Sequence, residues 1–377
     1  MFDETTELIT KQNNLKEKLV DYVTKKNLYQ MFPSPKNFRY RNNIMFSFGY
    51  NKDGKKEVGP FEGINSKVIL PPEENLLVSD LGIIICKYMK EWVSKFSILP
   101  VTKYPEFNGF WRHIQIKQND KNEFIIGFRL GDFYIYESVW KNEKYRLINF
   151  LLTRKELLSY RFKLINISYQ LCFGKKEPLI SEPFYEIYNG EDLIQKVFDK
   201  QFIINMGCFF QVNMTTTKIL YGLVKNLIKK NDVLLDFCCG IGMYSILLSK
   251  YFKNIYAIDS NEINIKLGKR NQELNKITNI NFVLGNIQDK VEDIFYRQIG
   301  KKTLIVNPPR RGLYNIVLEC INNYMTQFKQ IIYVSCNAES LKRDLDKLDL
   351  GKKKVRNIIP INQFPNTKHY EIIVNIY

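Results

Sequence analysis

Histidine is nearly absent from this chain: of 377 residues only His113 and His369 are histidines, so a histidine-based catalytic triad or a multi-histidine metal site has almost nothing to be built from. Cysteine is also sparse, with seven scattered residues and no pair at CxxC spacing. That excludes the usual zinc and iron–sulfur frameworks, and the odd count suits reduced thiols better than a disulfide scaffold. No apolar run approaches the length of a membrane span; Leu81 to Cys86 is among the longest. The N-terminal MFDETTELITKQNN has neither a signal-peptide core nor the character of a transit peptide. Internal repeats and low-complexity segments are missing too. A cytoplasmic or nuclear enzyme is expected, without membrane, metal or cluster, and monomeric.

What the chain has in abundance is aromatic and basic residues. Phe and Tyr number 26 and 23, apolar residues make up 45%, and Lys plus Arg outnumber Asp plus Glu by 56 to 39. A formal charge of +17 points to a polyanionic partner such as nucleic acid. Residues 1–200 carry +6 and residues 201–377 carry +11, so no detached tail accounts for it.

Two grammars divide the chain near residue 190. After a polar, Lys-rich helix over residues 6–26, short alternating runs such as Asn43 to Tyr50, Phe110 to Lys117 and Glu123 to Arg129 alternate with turn residues, which predicts an antiparallel sheet. Leu76, Leu77, Leu81, Ile84, Ile85, Tyr88, Met89 and Trp92 recur at helical spacing, so one amphipathic helix over 73–96 interrupts that sheet. Its apolar face is expected to meet the second domain. From 191 onward, strands alternate with helices, which predicts a parallel, doubly wound α/β domain. Domains of 1–190 and 191–377 follow.

Four segments carry chemistry. In LLDFCCGIGMYS a strand ends in Gly240-Ile-Gly242 and opens a helix, a turn where the backbone can approach a ligand and free N–H groups face it. Asp259 ends the next strand, where a carboxylate can take ribose hydroxyls. With Met243 in place of a third glycine, S-adenosylmethionine is favoured over a dinucleotide. Asn307-Pro-Pro-Arg310-Arg311-Gly ends a later strand, its prolines rigid and its arginines fit for phosphate. Cys336, in YVSCN, sits at the tip of the following strand, where positive charge nearby would make its thiolate a nucleophile. Glu371, opening the last apolar strand, is a candidate general base.

Taken in order, FFQVN (209–213), LLDFCCGIGMYSILLSK (234–250), NPPRRGL (307–313), YVSCNAESLKRDL (333–345) and QFPNTKHYE (363–371) resemble the RNA 5-methyluridine methyltransferases, most of all the tRNA uracil-5-methyltransferases. SPKNFRYRNNIMFSFG (34–49) and GFWRHIQI (109–116) are weaker echoes. The resemblance implies a Rossmann-like, S-adenosylmethionine-dependent methyltransferase domain preceded by a mainly antiparallel, α+β RNA-binding domain.

It also implies roles. Cys336 would add to uracil carbon 6, and Glu371 would remove the proton from carbon 5. Gln211, Cys238, Met243, Asp259 and Asn307 fall where the family contacts cofactor, with Gly240 and Gly242 in the turn. Arg41, Phe110, Trp111, Arg112 and Arg310 would meet RNA, with Arg39 and Tyr40 as neighbours. The substrate would be the T-loop uridine of tRNA, with rRNA the other target class, and the base would be flipped to reach Cys336. Three positions depart from the family: Asn307 stands for its Asp, Cys238 for its Tyr and Met243 for its Asn. Asn307-Pro-Pro also suits amino-group methylation, and a tRNA-binding or folding factor with lost catalysis is the alternative. The absence of a TRAM domain and of a cysteine cluster points to the tRNA branch.

Overall fold

The alternating apolar residues of the N-terminal half do form a sheet, and the alternating strands and helices of the C-terminal half form another. A computed structural model describes residues 3–63, 66–159, 161–174, 182–297 and 300–377. The chain does not divide at a single point near 190. One unit is Phe38–Gln195 with Ile203–Met214, and the other is Met1–Asn37, Lys196–Phe202 and Thr215–Tyr377.

In the first unit six strands pair in the order β2-β1-β3-β4-β5-β6: β1 Asn43–Tyr50, β2 Lys56–Gly59, β3 Trp111–Gln118, β4 Glu123–Leu130, β5 Lys163–Leu171 and β6 Tyr185–Tyr188. All neighbours are antiparallel except β4 and β5. That parallel pair needs a crossover, supplied by a helix over Phe133–Leu152 that buries Trp140, Leu147 and Leu151. Its even spread of apolar residues left no clear helical stripe in the sequence. The amphipathic helix settles over Asp80–Glu91. Its Leu81, Ile85 and Met89 pack with Ile44, Phe48, Ile114 and Phe128 of this sheet, so its apolar face is covered within its own unit.

The same core corrects three expected RNA contacts. Phe110, Trp111 and Arg112 are fully buried. Phe110 and Trp111 meet edge to face at 5.4 Å, and Arg112 donates to the Phe107 carbonyl at 3.1 Å. Aromatics on a strand that opens the sheet's centre are more valuable as core than as a stacking platform. Arg41 stays partly exposed.

Lys117 explains why residues 203–214 belong here. Its buried ammonium donates to the carbonyls of Asn205 (2.8 Å), Met206 (3.2 Å) and Cys208 (2.6 Å), binding that segment to β3. Desolvation by burial lowers its pKa. A short ribbon of β7 Leu193–Val197 and β8 Lys200–Ile204 follows the sheet in sequence.

The second unit holds seven strands in the order β11-β10-β9-β12-β13-β15-β14: β9 Asn231–Phe237, β10 Phe252–Asp259, β11 Ile280–Leu284, β12 Lys302–Val306, β13 Phe328–Ser335, β14 Val355–Ile361 and β15 Glu371–Ile376. β15 runs antiparallel between β13 and β14; β9 to β13 are parallel. Strand order reverses direction between β9 and β12, the switch point at which open α/β sheets bind ligands beyond their carboxyl ends. The N-terminal helix, Glu4–Lys18, belongs to this unit because Leu15 and Leu19, both fully buried, enter the same core as Leu235 and Leu341.

Around the sheet's ligand edge, Asp344 organises the loop after β12. Fully buried, it accepts from Tyr333 Oη, from the Leu313 amide at 2.8 Å and from Arg343 Nε at 2.9 Å. Arg343 in turn donates to the Arg311 and Leu313 carbonyls. Gly312, at φ +75°, leaves no room for a β-carbon, which would lie 2.5 Å from Asp344 Oδ2. Replacing Asp344 by Ala strands three donors, so Asp344→Ala is expected to lower unfolding stability by about 2–4 kcal/mol, read as a shift of the urea midpoint followed by circular dichroism.

Candidate active site

The C-terminal ends of β9 to β13 carry nearly every residue expected at the site, because in a parallel sheet all those ends lie on one edge. Beyond β9, Cys238 adopts φ +59° and Gly240 φ +56°. A β-carbon on Gly240 would meet nothing within 4 Å, so the turn keeps open space beside it. Gly242, at φ +81°, serves packing: a β-carbon there would lie 2.6 Å from the Phe282 ring. Of the two glycines, only Gly240 leaves room for a ligand.

Asp259 is held in place by its own loop. Its Oδ2 accepts from the Gly240 amide at 2.9 Å, and its Oδ1 accepts from the Asn261 amide at 2.8 Å and Asn264 Nδ2 at 3.1 Å. Oδ2 keeps a free lone pair for a hydroxyl. A cavity of about 110 Å³ opens there, walled by Ile258, Ile287 and Leu313, with Asp259, Ser260 and Asn286 offering polar atoms and Pro308 and Pro309 closing one side. Apolar faces around a few convergent acceptors suit the adenosine part of a cofactor. Cys238 also lines it, its thiol pushed up to about 12 by burial and by Asp259 and Asp236.

The other expected cofactor residues are spread more widely. Met243 is buried at the start of the helix Met243–Leu247 and does not line that cavity. Asn307 is half-buried directly before the two prolines, its amide donating to the Phe237 carbonyl at 3.3 Å. Gln211 is buried in the first unit.

Asp236 escaped the sequence reading. Inside the apolar run of β9 it is fully buried, accepts from Ser245 Oγ at 2.6 Å and from the Ser245 amide at 3.1 Å, and leaves Oδ1 without a partner among the described residues. Desolvation raises its pKa to about 7, with Asp259 adding to the shift. An acid in the middle of a buried strand was the available signal.

Cys336 and Glu371 meet through strand register. Ser335 on β13 pairs with Ile372 on β15, so the next positions, Cys336 and Glu371, stand side by side at the sheet edge. Glu371 is buried, and desolvation pushes its carboxyl up to about 8 against the pull of Arg310. Cys336 is half-buried. Burial first, then Glu371, raises its thiol above the usual value, while Arg310 works in the opposite direction. The expected lowering by positive charge is present but outweighed, so the resting sulfur is a thiol. Arg310, exposed and next to both groups, is positioned by its own carbonyl, which accepts from Asn337 Nδ2 at 3.1 Å. A second cavity, about 440 Å³, opens at Cys336 and Arg310. Its size admits a nucleotide.

Several known proteins resemble this chain. The sequence profile of the tRNA (uracil-5-)-methyltransferase family matches residues 188–376. An uncharacterized RNA methyltransferase of Clostridium tetani is 27% identical over 350 residues, covering 89% of this chain and 70% of that protein. One from Nanoarchaeum equitans is 28% identical over 354 residues, covering 91% and 70%. Among solved structures, the Pyrococcus abyssi tRNA (uracil-54, C5)-methyltransferase in complex with S-adenosyl-L-homocysteine superposes with a TM-score of 0.75 at 23% identity, covering 100% of this chain and 84% of that one, a likeness of fold. With a family profile spanning half of its length and both the α/β sheet and its antiparallel companion in place, the chain belongs to the tRNA (uracil-5-)-methyltransferase family.

Proposed function

We propose that the protein methylates carbon 5 of a uridine in tRNA, in the T-loop, through a covalent bond between Cys336 and the base. The single observation carrying this reading is the register that sets Cys336 beside Glu371 with Arg310 facing both. S-adenosylmethionine, when bound beside Gly240 and Asp259, supplies an electrophilic methyl group.

Uracil carbon 5 is a poor nucleophile, so the ring must first be activated. Cys336 gives its proton to solvent and its sulfur bonds to carbon 6, sending the ring electrons onto the carbon 4 oxygen as an enolate. Arg310 is the nearby cation for that charge. Carbon 5 then takes the methyl group, leaving the cofactor as a neutral thioether. Glu371 removes the remaining carbon 5 proton, the double bond returns, and the carbon–sulfur bond breaks with its electron pair on Cys336. A base with pKa near 8 suits removal of a weakly acidic carbon-bound proton better than an ordinary carboxylate does. Asp259 would hold the cofactor's ribose, while Asp236 stays behind the turn, bonded to Ser245.

Three outcomes test the reading. Cys336→Ala is expected to lose on the order of 10³-fold or more of turnover, measured by methyl transfer from radiolabelled S-adenosylmethionine to tRNA; retained activity would turn the reading toward amino-group methylation. Glu371→Gln is expected to stall after methylation, so that a Cys336–RNA adduct carrying the new methyl group accumulates in denaturing gels and mass spectra. Finally, kcat/KM for the intact enzyme is expected to rise with pH through about 8, because Glu371 and Cys336 both act deprotonated and both titrate above their usual ranges. A flat profile between pH 6 and 9 would remove Glu371 as the base.

A further inference from the structure

The N-terminal helix carries no motif that the family resemblance used, yet it lines the cavity at Cys336. Thr10, Lys11, Asn14 and Lys18 face the same space as Arg310 and Lys368. The helix is fixed there by more than its apolar face. Lys11, almost wholly buried, donates to Glu7 at 2.6 Å, to Asn362 Oδ1 at 2.6 Å and to the Phe364 carbonyl at 3.1 Å. Glu7 also accepts from the Asn366 amide at 2.9 Å, and Tyr370 Oη donates to Asn14 at 2.9 Å. These bonds join the helix to the loop that leads into Glu371.

With the helix anchored, Lys18 reaches the cavity rim and pairs with Glu339 at 2.8 Å. Glu339 belongs to the first turn of the helix Ala338–Lys347, two residues from Asn337 and three from Cys336, and its side chain is 72% exposed. Lys18 and Lys368 both hold its carboxyl below the usual range. Lys18 thus pairs with an exposed carboxylate at the mouth of the nucleotide-sized cavity, and Lys368 lines the same cavity. The α/β unit as a whole carries +13 of the chain's +17. An exposed carboxylate gains little from such a pair in water, and a second anion can replace it at small cost.

We propose that Lys18 and Lys368, which line one cavity with Cys336, form a phosphate site for the RNA backbone beside the target nucleotide, and that Glu339 holds the Lys18 ammonium in place until a phosphodiester displaces it. The inference rests on the proposed function for the identity of the strand and adds a binding element that lies outside the family's motifs. The phosphate lies beside the base that Cys336 attacks, so the site fixes the backbone on which a flipped uridine must turn. Lys11, already committed to the loop, takes no part.

The test is binding of a fluorescein-labelled T-arm stem-loop RNA to the full-length protein, followed by anisotropy across a salt series. Lys18→Ala and Lys368→Ala are each expected to weaken binding about tenfold and to reduce the slope of log Kd against log salt by about one. Lys18→Arg is expected to keep most of the affinity, whereas Glu339→Gln is expected to tighten binding about threefold because the competing carboxylate is gone. A stem-loop with one uncharged methylphosphonate beside the target uridine should bind the wild-type protein at least tenfold more weakly and should bind the Lys18→Ala, Lys368→Ala double variant with no further loss. Unchanged affinity and slope in both lysine variants, or weaker binding by Glu339→Gln, would overturn the site. Circular dichroism of each variant separates a folding defect from a lost contact. Failure of the proposed function would show differently, as RNA bound by the wild type but neither methylated nor captured on Cys336 when 5-fluorouridine replaces the target.

Discussion

An antiparallel strand inserted into a parallel sheet is the constraint on which the site depends. Had β15 continued the parallel pattern, its first residue would lie at the opposite edge from Cys336. Because it enters between β13 and β14 from the other direction, Glu371 begins where β13 ends. A slip of one residue in that pairing would turn every side chain of β15 to the other face and move Glu371 from its place beside Cys336. Strand pairing therefore sets Cys336 beside Glu371.

Burial then sets their chemistry. Glu371 and Asp236 are carboxyls held near neutrality because the protein desolvates them without giving either a full cationic partner. Arg310 tempers Glu371 and Cys336 alike while staying exposed itself, so a bound strand can change its surroundings and thereby the protonation of both. Asp344 contributes by keeping the loop that carries Arg310 in one shape through its bonds to Tyr333, Leu313 and Arg343. A fully buried network of this kind is costly to leave half satisfied, which favours a single loop conformation.

Buried lysines play the same role in assembling the chain. Lys117 ties a distant segment to β3 through three carbonyls, and Lys11 ties the N-terminal helix to the loop before β15. In sequence both belong to a general excess of lysine and carry no sign of their different environment. Each accounts for a part of the chain that joined a unit other than the one its position suggests.

The α/β order of strands and the glycine turn were legible from the sequence because each depends on local pattern, an apolar run or a turn residue, and Asp259, Cys336 and Glu371 could be placed at strand ends for the same reason. Phe110, Trp111 and Arg112 were misread as RNA contacts, since a string of aromatic and basic residues looks the same whether it faces solvent or fills a sheet's core; only the stacking of β3 against the helix Asp80–Glu91 and its neighbours decides that. Asp236 was missed because an acid in an apolar run gains meaning only once its burial is known. Residue identity and period determine which elements form and which groups they carry to their ends. Tertiary structure alone decided which of those ends meet, because strand register, burial and the pairing of charges arise between segments far apart in the chain.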